Sequence, residues 1–383
     1  MGFFIGRDRE ARRAYGFDEV ALVPGSVTIN PEEVDITWSL GEMRFEIPFL
    51  ASAMDGVVDV AFARALDNLG GIAVLNLEGI QTRYEHPEEI LRKIARASPE
   101  EATEFIQRIY DEPVKECLIS RRIEELKEKG GRAVVSSIPQ KALRFAQIAQ
   151  EAGCDIFVIQ STVATVRHYS TKYEVLDFKE FGKLVKIPFI VGNCVTYEAA
   201  LELMETGCEA ILVGVGPGAA CTTRGVLGIG VPQVTATIDC AQARDYYYKK
   251  TGRYVSVITD GGMSTGGDVA KAFASGADAV MIGSAFARSR EAPGQGYHWG
   301  MAHPHPALPR GTRIKVGTRG TLEQILFGPA AVTDGSQNIV GAIRTAMGVC
   351  GVTTIPDMHK VEMVIAPAIT TEGKSWQMAQ SSS

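Results

Sequence analysis

A cysteine in a glycine-rich loop is the side chain of this sequence best placed for covalent chemistry. Cys221 lies in GVGPGAACTTRGVLGIGVPQ, residues 214–233, directly after the apolar run AILV. A backbone this rich in glycine is costly to order and usually indicates close approach to a ligand or positive φ angles. A thiol in such a loop is placed for nucleophilic attack. In contrast, Cys154, Cys208 and Cys240, in or beside predicted helices, are expected to be buried structural thiols.

Eight short apolar runs provide the elements that would position this loop. They cover residues 47–54, 71–77, 133–138, 156–162, 189–194, 210–216, 255–262 and 279–286. Several are followed by a helical pattern that closes on a glycine, such as KALRFAQIAQEAG. Continuous apolar strands that alternate with helices predict a parallel sheet covered on both faces. Eight such units favour an α/β fold of the (β/α)8 TIM barrel type. An open doubly wound sheet is the alternative, although no GxGxxG follows the first strand.

The length and composition allow one large α/β domain or two ordinary ones. The chain has 383 residues, 45% of them hydrophobic, and we expect a single barrel domain over 1–383 with a charged helical excursion on its surface at about 80–131. A net charge of −6 provides no positive field for nucleic acid or an anionic membrane. Seven cysteines without a CxxC pair, and no run of 18 apolar residues, predict a reduced, cytoplasmic protein.

Polar residues and glycines follow the predicted strands at the ends where barrel enzymes hold their active sites. These residues are Ser52, Met54 and Asp55, then Gln160, Ser161 and Thr162, then Asn193, then Gly214, Gly216 and Gly218 before Cys221 and Thr223, and finally Asp260, Gly262, Gly283 and Ser284. Glycine-backed amides after strands seven and eight are suited to a phosphate group, and Asp260 is suited to accept hydrogen bonds from sugar hydroxyls. The set therefore predicts a nucleotide or sugar phosphate ligand. The carbonyl groups from Gly216 to Cys221 could also surround a monovalent cation.

Several long segments resemble the IMP dehydrogenase / GMP reductase family. They are GVGPGAACTTR, GIGVPQ, TDGGMSTGGDVAKAFASGADAVMIGSAFA, YGFDEVALVP and IPFLASAMDG, and the resemblance covers about residues 14–350. It implies a barrel fold and thiol-based purine nucleotide chemistry. In the family's dehydrogenases the loop cysteine adds to carbon 2 of the hypoxanthine ring and hydride leaves to NAD. The resulting thioimidate is then hydrolysed to XMP.

The resemblance also implies roles for individual residues. Cys221 matches the nucleophile, Thr223 matches the threonine that positions the hydrolytic water, and Arg310 matches a position against the purine N1 that is usually Gln or Glu. The substrate-binding residues implied are Ser52 and Met54 under the base, Asn193 beside the nucleotide, Asp260 at the ribose, Gly262, Gly283 and Ser284 at the phosphate, and Met301 against the purine. The NAD-binding residues implied are Gln160, Ser161, Thr162 and Gly214. The potassium ligands implied are the carbonyl groups of Gly216, Gly218 and Cys221.

The sequence departs from the family pattern at several places. Gln160-Ser161-Thr162 stands where the dehydrogenases usually carry Asp-Ser-Ser, so a carboxylate for an NAD ribose is missing. The excursion at about 80–131 is too short for the two regulatory CBS modules that often interrupt the barrel there. The flap, at about 290–320, is shortened and has no Arg-Tyr pair to activate water. Arg310, His303 and His305 are the candidates for handling water instead.

Three functions are compatible with these features. The first is IMP dehydrogenase, which converts IMP, NAD and water to XMP and NADH. The second is GMP reductase, which in the family needs a flap glutamate, and no Glu occurs between Gly294 and Gly320. The third is a purine-nucleotide-binding relative with weak catalysis. The resemblance further implies a homo-oligomer, tetramer or octamer, and neither nucleic acid nor membrane is expected as a partner.

Overall fold

Eight parallel strands close into a barrel in the computed structural model, which describes residues 2–300 and 313–367. The strands are β1 (Phe49–Ala51), β2 (Ile72–Ala73 and Leu75–Asn76), β3 (Val134–Ser137), β4 (Ile156–Gln160), β5 (Phe189–Cys194), β6 (Ala210–Val213), β7 (Ser256–Asp260) and β8 (Ala279–Ile282). The first part of β2 pairs with β1 and the second part pairs with β3, and β8 pairs with β1. Because no open edge remains between β8 and β1, the predicted (β/α)8 barrel is confirmed over the open sheet.

The barrel strands are apolar on both faces because both faces are buried. In β4, Ile156 and Val158 belong to a cluster that fills the barrel, whereas Phe157 and Ile159 pack in the layer between the strands and the helices. This explains why each strand appears in the sequence as a continuous apolar run rather than an alternating one. An antiparallel hairpin of Trp38–Leu40 and Met43–Phe45 adds its side chains to the inner cluster.

Fourteen helices follow in chain order within the described residues. They are α1 (Val60–Asn68), α2 (Pro87–Arg96), α3 (Pro99–Tyr110), α4 (Glu116–Lys127), α5 (Pro139–Glu151), α6 (Phe178–Leu184), α7 (Tyr197–Met204), α8 (Thr223–Leu227), α9 (Gln233–Thr251), α10 (Gly266–Ala274), α11 (Ser284–Ala287), α12 (Leu322–Phe327), α13 (Ile339–Val349) and α14 (Ile355–Met358). Short 3-10 turns cover Phe17–Glu19, Pro31–Glu33, Ile80–Thr82 and Glu128–Gly130. No helix in these ranges has the length and apolar content needed to cross a bilayer.

The segment at about 80–131 has two distinct parts. Its last helix, α4, packs against α1 and α5 and is the helix that connects β2 to β3 in the outer ring. Of the helices in this segment, α2 and α3 are additional to the outer ring, and they are here called the helical pair. Their apolar faces form a separate small cluster, which contains Ile80, Leu91, Ile94, Ile106, Ile109, Tyr110 and Trp299. The excursion on the barrel is therefore shorter than the sequence suggested, because its final third completes the barrel itself.

Three further antiparallel pairs lie outside the barrel. Gly2–Gly6 pairs with Arg9–Arg12, and Val20–Leu22 pairs with Met363–Ile365. Tyr297–His298 pairs with Ile314–Lys315, which brings together the two ends of the described chain around residues 301–312. All seven cysteines are free thiols, and Cys154, Cys208 and Cys240 are buried as expected.

Candidate active site

A cavity of about 530 Å³ opens at the carboxyl ends of the barrel strands. Asp55, which the sequence placed with the strand-end residues, is buried and does not line this cavity. The lining contains the other site residues predicted within the described ranges, namely Ser52, Met54, Gln160, Ser161, Thr162, Asn193, Gly214, Gly216, Gly218, Cys221, Thr223, Asp260, Gly262, Gly283 and Ser284. Met301 and Arg310, like His303 and His305, lie outside the described residues. Lining residues that were not predicted include Ile138, Met263, Ser264, His298 and Gly300.

Cys221 and Thr223 are hydrogen-bonded neighbours in this cavity. The thiol of Cys221 donates to Thr223 Oγ1 across 3.2 Å. Thr223 is buried and begins α8, while Cys221 is exposed and reaches the cavity. The Cys221 amide also donates to the Gly218 carbonyl across 2.9 Å, which closes a tight turn before the thiol. A thiol and a hydroxyl in direct contact therefore face the same space.

Arg224 fixes the two ends of the nucleophile loop. Its Nε donates to the Val215 carbonyl across 3.2 Å and its Nη2 donates to the Val231 carbonyl across 2.7 Å. A Cβ on Gly216 or on Gly230 would lie 2.7 Å from an atom of the Arg224 side chain. These two glycines are therefore required so that the guanidinium can pass between the loop ends. Burial lowers the pKa of Arg224, and the nearby Cys221 opposes that shift.

Gln233 connects the end of β6 to the end of β7. Its Nε2 donates to the carbonyl groups of Val213 at 3.1 Å, Asp260 at 3.0 Å and Gly261 at 3.3 Å. A Cβ on Gly214 would lie 2.4 Å from the Asp260 carbonyl oxygen, so the two backbones approach closely here. Neither Arg224 nor Gln233 was singled out from the sequence, although both lie in the motifs GVGPGAACTTR and GIGVPQ.

Asp260 is held by two side-chain amides. Its Oδ2 accepts from Asn193 Nδ2 at 2.8 Å and from Gln160 Nε2 at 3.0 Å. Burial raises the pKa of Asp260 to about 6, and both hydrogen bonds oppose that shift. Gln160 is itself buried, and its amide is directed at Asp260 rather than at the mouth of the cavity. Gln160, which the resemblance assigns to NAD, therefore supports the Asp260 carboxylate.

The remainder of the β4 end is lined by hydroxyl groups. Ser161 Oγ donates to the Val163 carbonyl at 2.8 Å, and Thr162 is exposed. Asp260 is the only carboxylate among the described residues that line the cavity. The strand end where the family's dehydrogenases carry an aspartate thus offers hydroxyls and no negative charge.

Another part of the cavity wall is formed by the turns after β7 and β8. Gly261 and Gly262 both have φ near +81°, which exposes the backbone of this turn without a Cβ. A Cβ on Gly283 would lie 2.5 Å from Met54 Cε, so the backbone after β8 packs directly on Met54. The lining contains no Lys or Arg within the described residues, so an anion held here depends on amides and hydroxyls.

His298 completes this part of the cavity wall and was missed by the sequence analysis. Its Nε2 lies 2.9 Å from Ser284 Oγ. Burial lowers the pKa of His298 to about 4, so near neutral pH the ring is uncharged, with one nitrogen that can donate a hydrogen bond and one that can accept. No periodic pattern marks this histidine, because it reaches the cavity from a two-residue strand beyond the barrel.

Comparison with known proteins places these features in a family. A model of the IMP dehydrogenase / GMP reductase domain matches residues 14–302. The chain belongs to the IMP dehydrogenase / GMP reductase family. An IMP dehydrogenase / GMP reductase-like protein from Corynebacterium glutamicum, solved by crystallography, superposes with a TM-score of 0.90 at 35% identity over 95% of this chain and 98% of that one. The family resemblance drawn from the motifs is confirmed.

Curated members of the IMP dehydrogenase / GMP reductase family match nearly the full chain. An uncharacterized oxidoreductase of Mycolicibacterium smegmatis is 37% identical over 94% of this chain and 99% of its own length. An inosine-5′-monophosphate dehydrogenase of Cryptosporidium parvum is 30% identical over 93% of this chain and 92% of its own length. Relatives of this similarity support oxidoreductase chemistry for the chain.

Proposed function

We propose that the protein is an IMP dehydrogenase that oxidises IMP to XMP with NAD through a covalent bond to Cys221. The observation that carries this proposal is the Cys221–Thr223 pair, 3.2 Å apart in a nucleotide-sized cavity, with no carboxylate beside the threonine among the described residues. Residues 301–312, MAHPHPALPRGT, contain neither Asp nor Glu. Glu291, at the start of the flap, accepts from the Leu322 amide and does not line the cavity, and no Glu occurs between Gly294 and Gly320. The threonine–glutamate pair that the family's GMP reductases need therefore has no candidate glutamate in that stretch.

The proposed reaction has two steps on Cys221. The sulfur first bonds to carbon 2 of the hypoxanthine ring while the thiol proton is released, and the C2–H bond breaks with its electron pair. Bound NAD supplies the hydride acceptor. Water then adds to carbon 2, and the sulfur–carbon bond breaks to release XMP and regenerate the thiol. The hydroxyl of Thr223 is in contact with the sulfur and is placed to hold that water.

The cavity provides separate groups for the parts of the mononucleotide. Asp260, held by Asn193 and Gln160, is the acceptor for ribose hydroxyls. The turns at Gly262 and Gly283, with the Ser284 hydroxyl, are the donors for the phosphate. Binding the base, sugar and phosphate at once holds carbon 2 near the thiol, which lowers the entropic part of the barrier.

The dinucleotide has a weaker set of candidate contacts. Ser161, Thr162 and Gly214 lie at the cavity and are the candidate contacts of the nicotinamide ring. Since Gln160 is engaged with Asp260, the β4 end offers no charged acceptor for a ribose hydroxyl. We therefore expect NAD to be held less tightly than by relatives with an aspartate at this position.

Potassium is the proposed monovalent cofactor, held by the carbonyl groups of Gly216, Gly218 and Cys221. The Gly218 carbonyl already accepts from the Cys221 amide and keeps its second lone pair. Neutral carbonyl oxygens in one short loop suit a monovalent cation of low charge density. The chemistry of the donor set therefore fits the ion.

The deciding experiment is product analysis in two separate reactions. IMP with NAD should yield XMP and NADH, and GMP with NADPH should yield nothing. Conversion of GMP to IMP would replace the proposal by a reductase. Tight IMP binding without turnover would instead support a binding relative. The family resemblance also supports a homotetramer or octamer of 41.3 kDa subunits, which light scattering would measure.

A further inference from the structure

A buried hydrogen-bond chain connects the helical pair to the edge of the cavity. Trp299 lies between His298 and Gly300, which both line the cavity, and its ring is 1% exposed. Its Nε1 donates to the hydroxyl of Tyr110, at the end of α3, across 2.9 Å. The Tyr110 hydroxyl in turn donates to the carboxylate of Asp55. Three side chains from distant parts of the sequence thus meet in one line.

Asp55 lies at the end of β1, next to the cavity residue Met54. Its Oδ2 also accepts from the Ile80 amide at 3.1 Å, so the carboxylate holds the turn after β2 as well. A Cβ on Gly79 would lie only 2.2 Å from an oxygen of this carboxylate, which shows how closely the turn approaches. Gly56, the residue after Asp55, also packs closely, because a Cβ at this position would lie 2.9 Å from the Cα of His298. The end of β1 therefore packs on both the helical pair and the backbone of His298.

Arg313 makes a second connection between the helical pair and the same segment. Its guanidinium donates to the carbonyl groups at the end of α2, Ile94, Ala95 at 3.0 Å and Ala97 at 2.8 Å. The last carbonyls of a helix lack the regular intrahelical partner, so the arginine caps α2, and the Ile94 carbonyl also accepts from the Ala97 amide at 3.3 Å. The guanidinium carbon also lies 4.1 Å from the ring centre of Tyr297. Both strands of the pair Tyr297–His298 and Ile314–Lys315 are thus tied to the helical pair.

We propose that Tyr110 is a positioning residue: its hydroxyl sets Trp299 against Asp55 and thereby places His298 and Gly300 at the nucleotide cavity. Tyr110 does not line the cavity. The Tyr110 hydroxyl donates to the buried Asp55 carboxylate and accepts from the buried Trp299 indole, so both hydrogen bonds form when the three side chains are aligned as described. Without it, the indole N–H of Trp299 and the Asp55 carboxylate would each lose a partner away from water, and the segment would shift to recover one. The identity of the nucleotide rests on the proposed function.

The test compares two substitutions that each remove one hydroxyl from the same region. Tyr110→Phe breaks the chain and keeps the ring. Tyr84→Phe is the matched control, because the Tyr84 hydroxyl donates to the Ile109 carbonyl at 3.0 Å and does not reach Trp299. We expect Tyr110→Phe to raise the KM and the dissociation constant for IMP by roughly threefold to tenfold, the range for one buried hydrogen bond, and Tyr84→Phe by less than about twofold.

Amide hydrogen exchange across Tyr297 to Gly300 is the second measurement, and it needs no nucleotide. Tyr110→Phe should speed this exchange by roughly threefold to tenfold while Tyr84→Phe leaves it unchanged. Equal exchange rates in Tyr110→Phe and Tyr84→Phe would overturn the inference. If the wild type turns IMP over, equal KM values for IMP in the two variants would overturn it as well. A wild type that neither binds nor converts IMP rejects the proposed function instead, and the exchange result still decides the positioning role.

Trp299→Phe provides an independent variant if Tyr110→Phe does not fold. It removes the indole N–H and keeps an aromatic ring in the buried site. The expected result is the same rise in exchange across Tyr297 to Gly300 and in the KM for IMP. Where both single variants fold, exchange and KM in the double variant should rise no further than in the more affected single variant, because both substitutions break the same hydrogen-bond chain. Fully additive losses would contradict a shared path.

Discussion

Cys221 Sγ lies 3.2 Å from Thr223 Oγ1, two residues along the same loop, and both groups face a cavity formed by the ends of six other barrel segments. The pair depends on the turn that the Cys221 amide makes with the Gly218 carbonyl. A thiol and a hydroxyl at this separation can act in sequence on one carbon atom of a bound ligand.

Removing the Cys221 thiol should abolish turnover and preserve nucleotide binding. We expect Cys221→Ala and Cys221→Ser to reduce kcat for IMP oxidation by roughly a thousandfold or more, because the covalent route is lost. Mass spectrometry of the quenched wild type should show a purine adduct on Cys221. Cys117→Ser is the control, since Cys117 is an exposed thiol on α4. Equal rates in Cys221→Ser and wild type would contradict the covalent mechanism.

Arg310 is predicted to act in hydrolysis rather than in hydride transfer. In Arg310→Ala, the initial burst of NADH should proceed while the covalent adduct accumulates and the steady-state rate falls roughly a hundredfold, the usual scale for a group that assists proton transfer. Stopped-flow absorbance and mass spectrometry measure the two stages. An unchanged steady-state rate would exclude this role for Arg310.

A methyl group on Gly216 should disturb the loop of the nucleophile. Gly216 has φ near +75°, and its Cβ would lie 2.7 Å from Arg224 Cγ, so Gly216→Ala combines backbone strain with a clash. We expect a loss of about 1–3 kcal/mol in the free energy of unfolding and a lower kcat. Gly225→Ala is the control, because a Cβ there meets nothing within 4 Å. Similar denaturation midpoints and rates in the two variants would argue against close packing on Arg224.

The affinity for IMP should fall as Asp260 is protonated. Burial raises the pKa of Asp260 from 3.8 to about 6, so below about pH 6 the carboxyl group loses its charge and accepts hydrogen bonds from ribose less well. The KM for IMP should therefore rise on the acid side. A pH profile that is as steep in Asp260→Asn as in the wild type would contradict this assignment.

The raised pKa of Asp260 also affects how stability changes with pH. The direction is opposite to that of a salt-bridged aspartate, whose pKa is lowered on folding. Because the folded pKa lies above the unfolded value of 3.8, the folded state binds the extra proton between about pH 4 and pH 6. Relative to Asp260→Asn, the wild type should lose free energy of unfolding as the pH rises through this window, by at most about 1.4 kcal/mol per pH unit. Urea unfolding of both proteins across this range measures the difference.

Activity should depend on potassium. If the carbonyl groups of Gly216, Gly218 and Cys221 bind the ion, its removal leaves the loop before the thiol less well defined and lowers kcat. Rates in potassium, sodium and lithium chloride at one ionic strength test this, with IMP binding measured in parallel. Equal rates in sodium alone would count against the site.

Much of the fold and of the site could be predicted because both depend on local signals. Strands buried on two faces leave continuous apolar runs, and β4 is visible as IFVIQ for that reason. Gly216 and Gly230 are required by their close approach to Arg224 within one loop, so part of the glycine pattern around Cys221 has a local cause that the sequence displays. The carboxyl ends of parallel strands meet at one end of a barrel, which placed Asp260 near Cys221 without a structure.

Only the tertiary structure decided which polar groups are partners. Gln160 supports Asp260 across 100 positions of sequence, and the Trp299–Tyr110–Asp55 chain connects a flap residue, a helix of the excursion and a strand end. The tertiary structure also decided the position of α4, which is charged like α2 and α3 in the sequence but packs against α1 and α5 in the outer ring of the barrel. The pattern of apolar residues and the positions of glycines reflect local structure and can be read from neighbouring residues. A hydrogen bond between distant segments depends on how the whole chain folds.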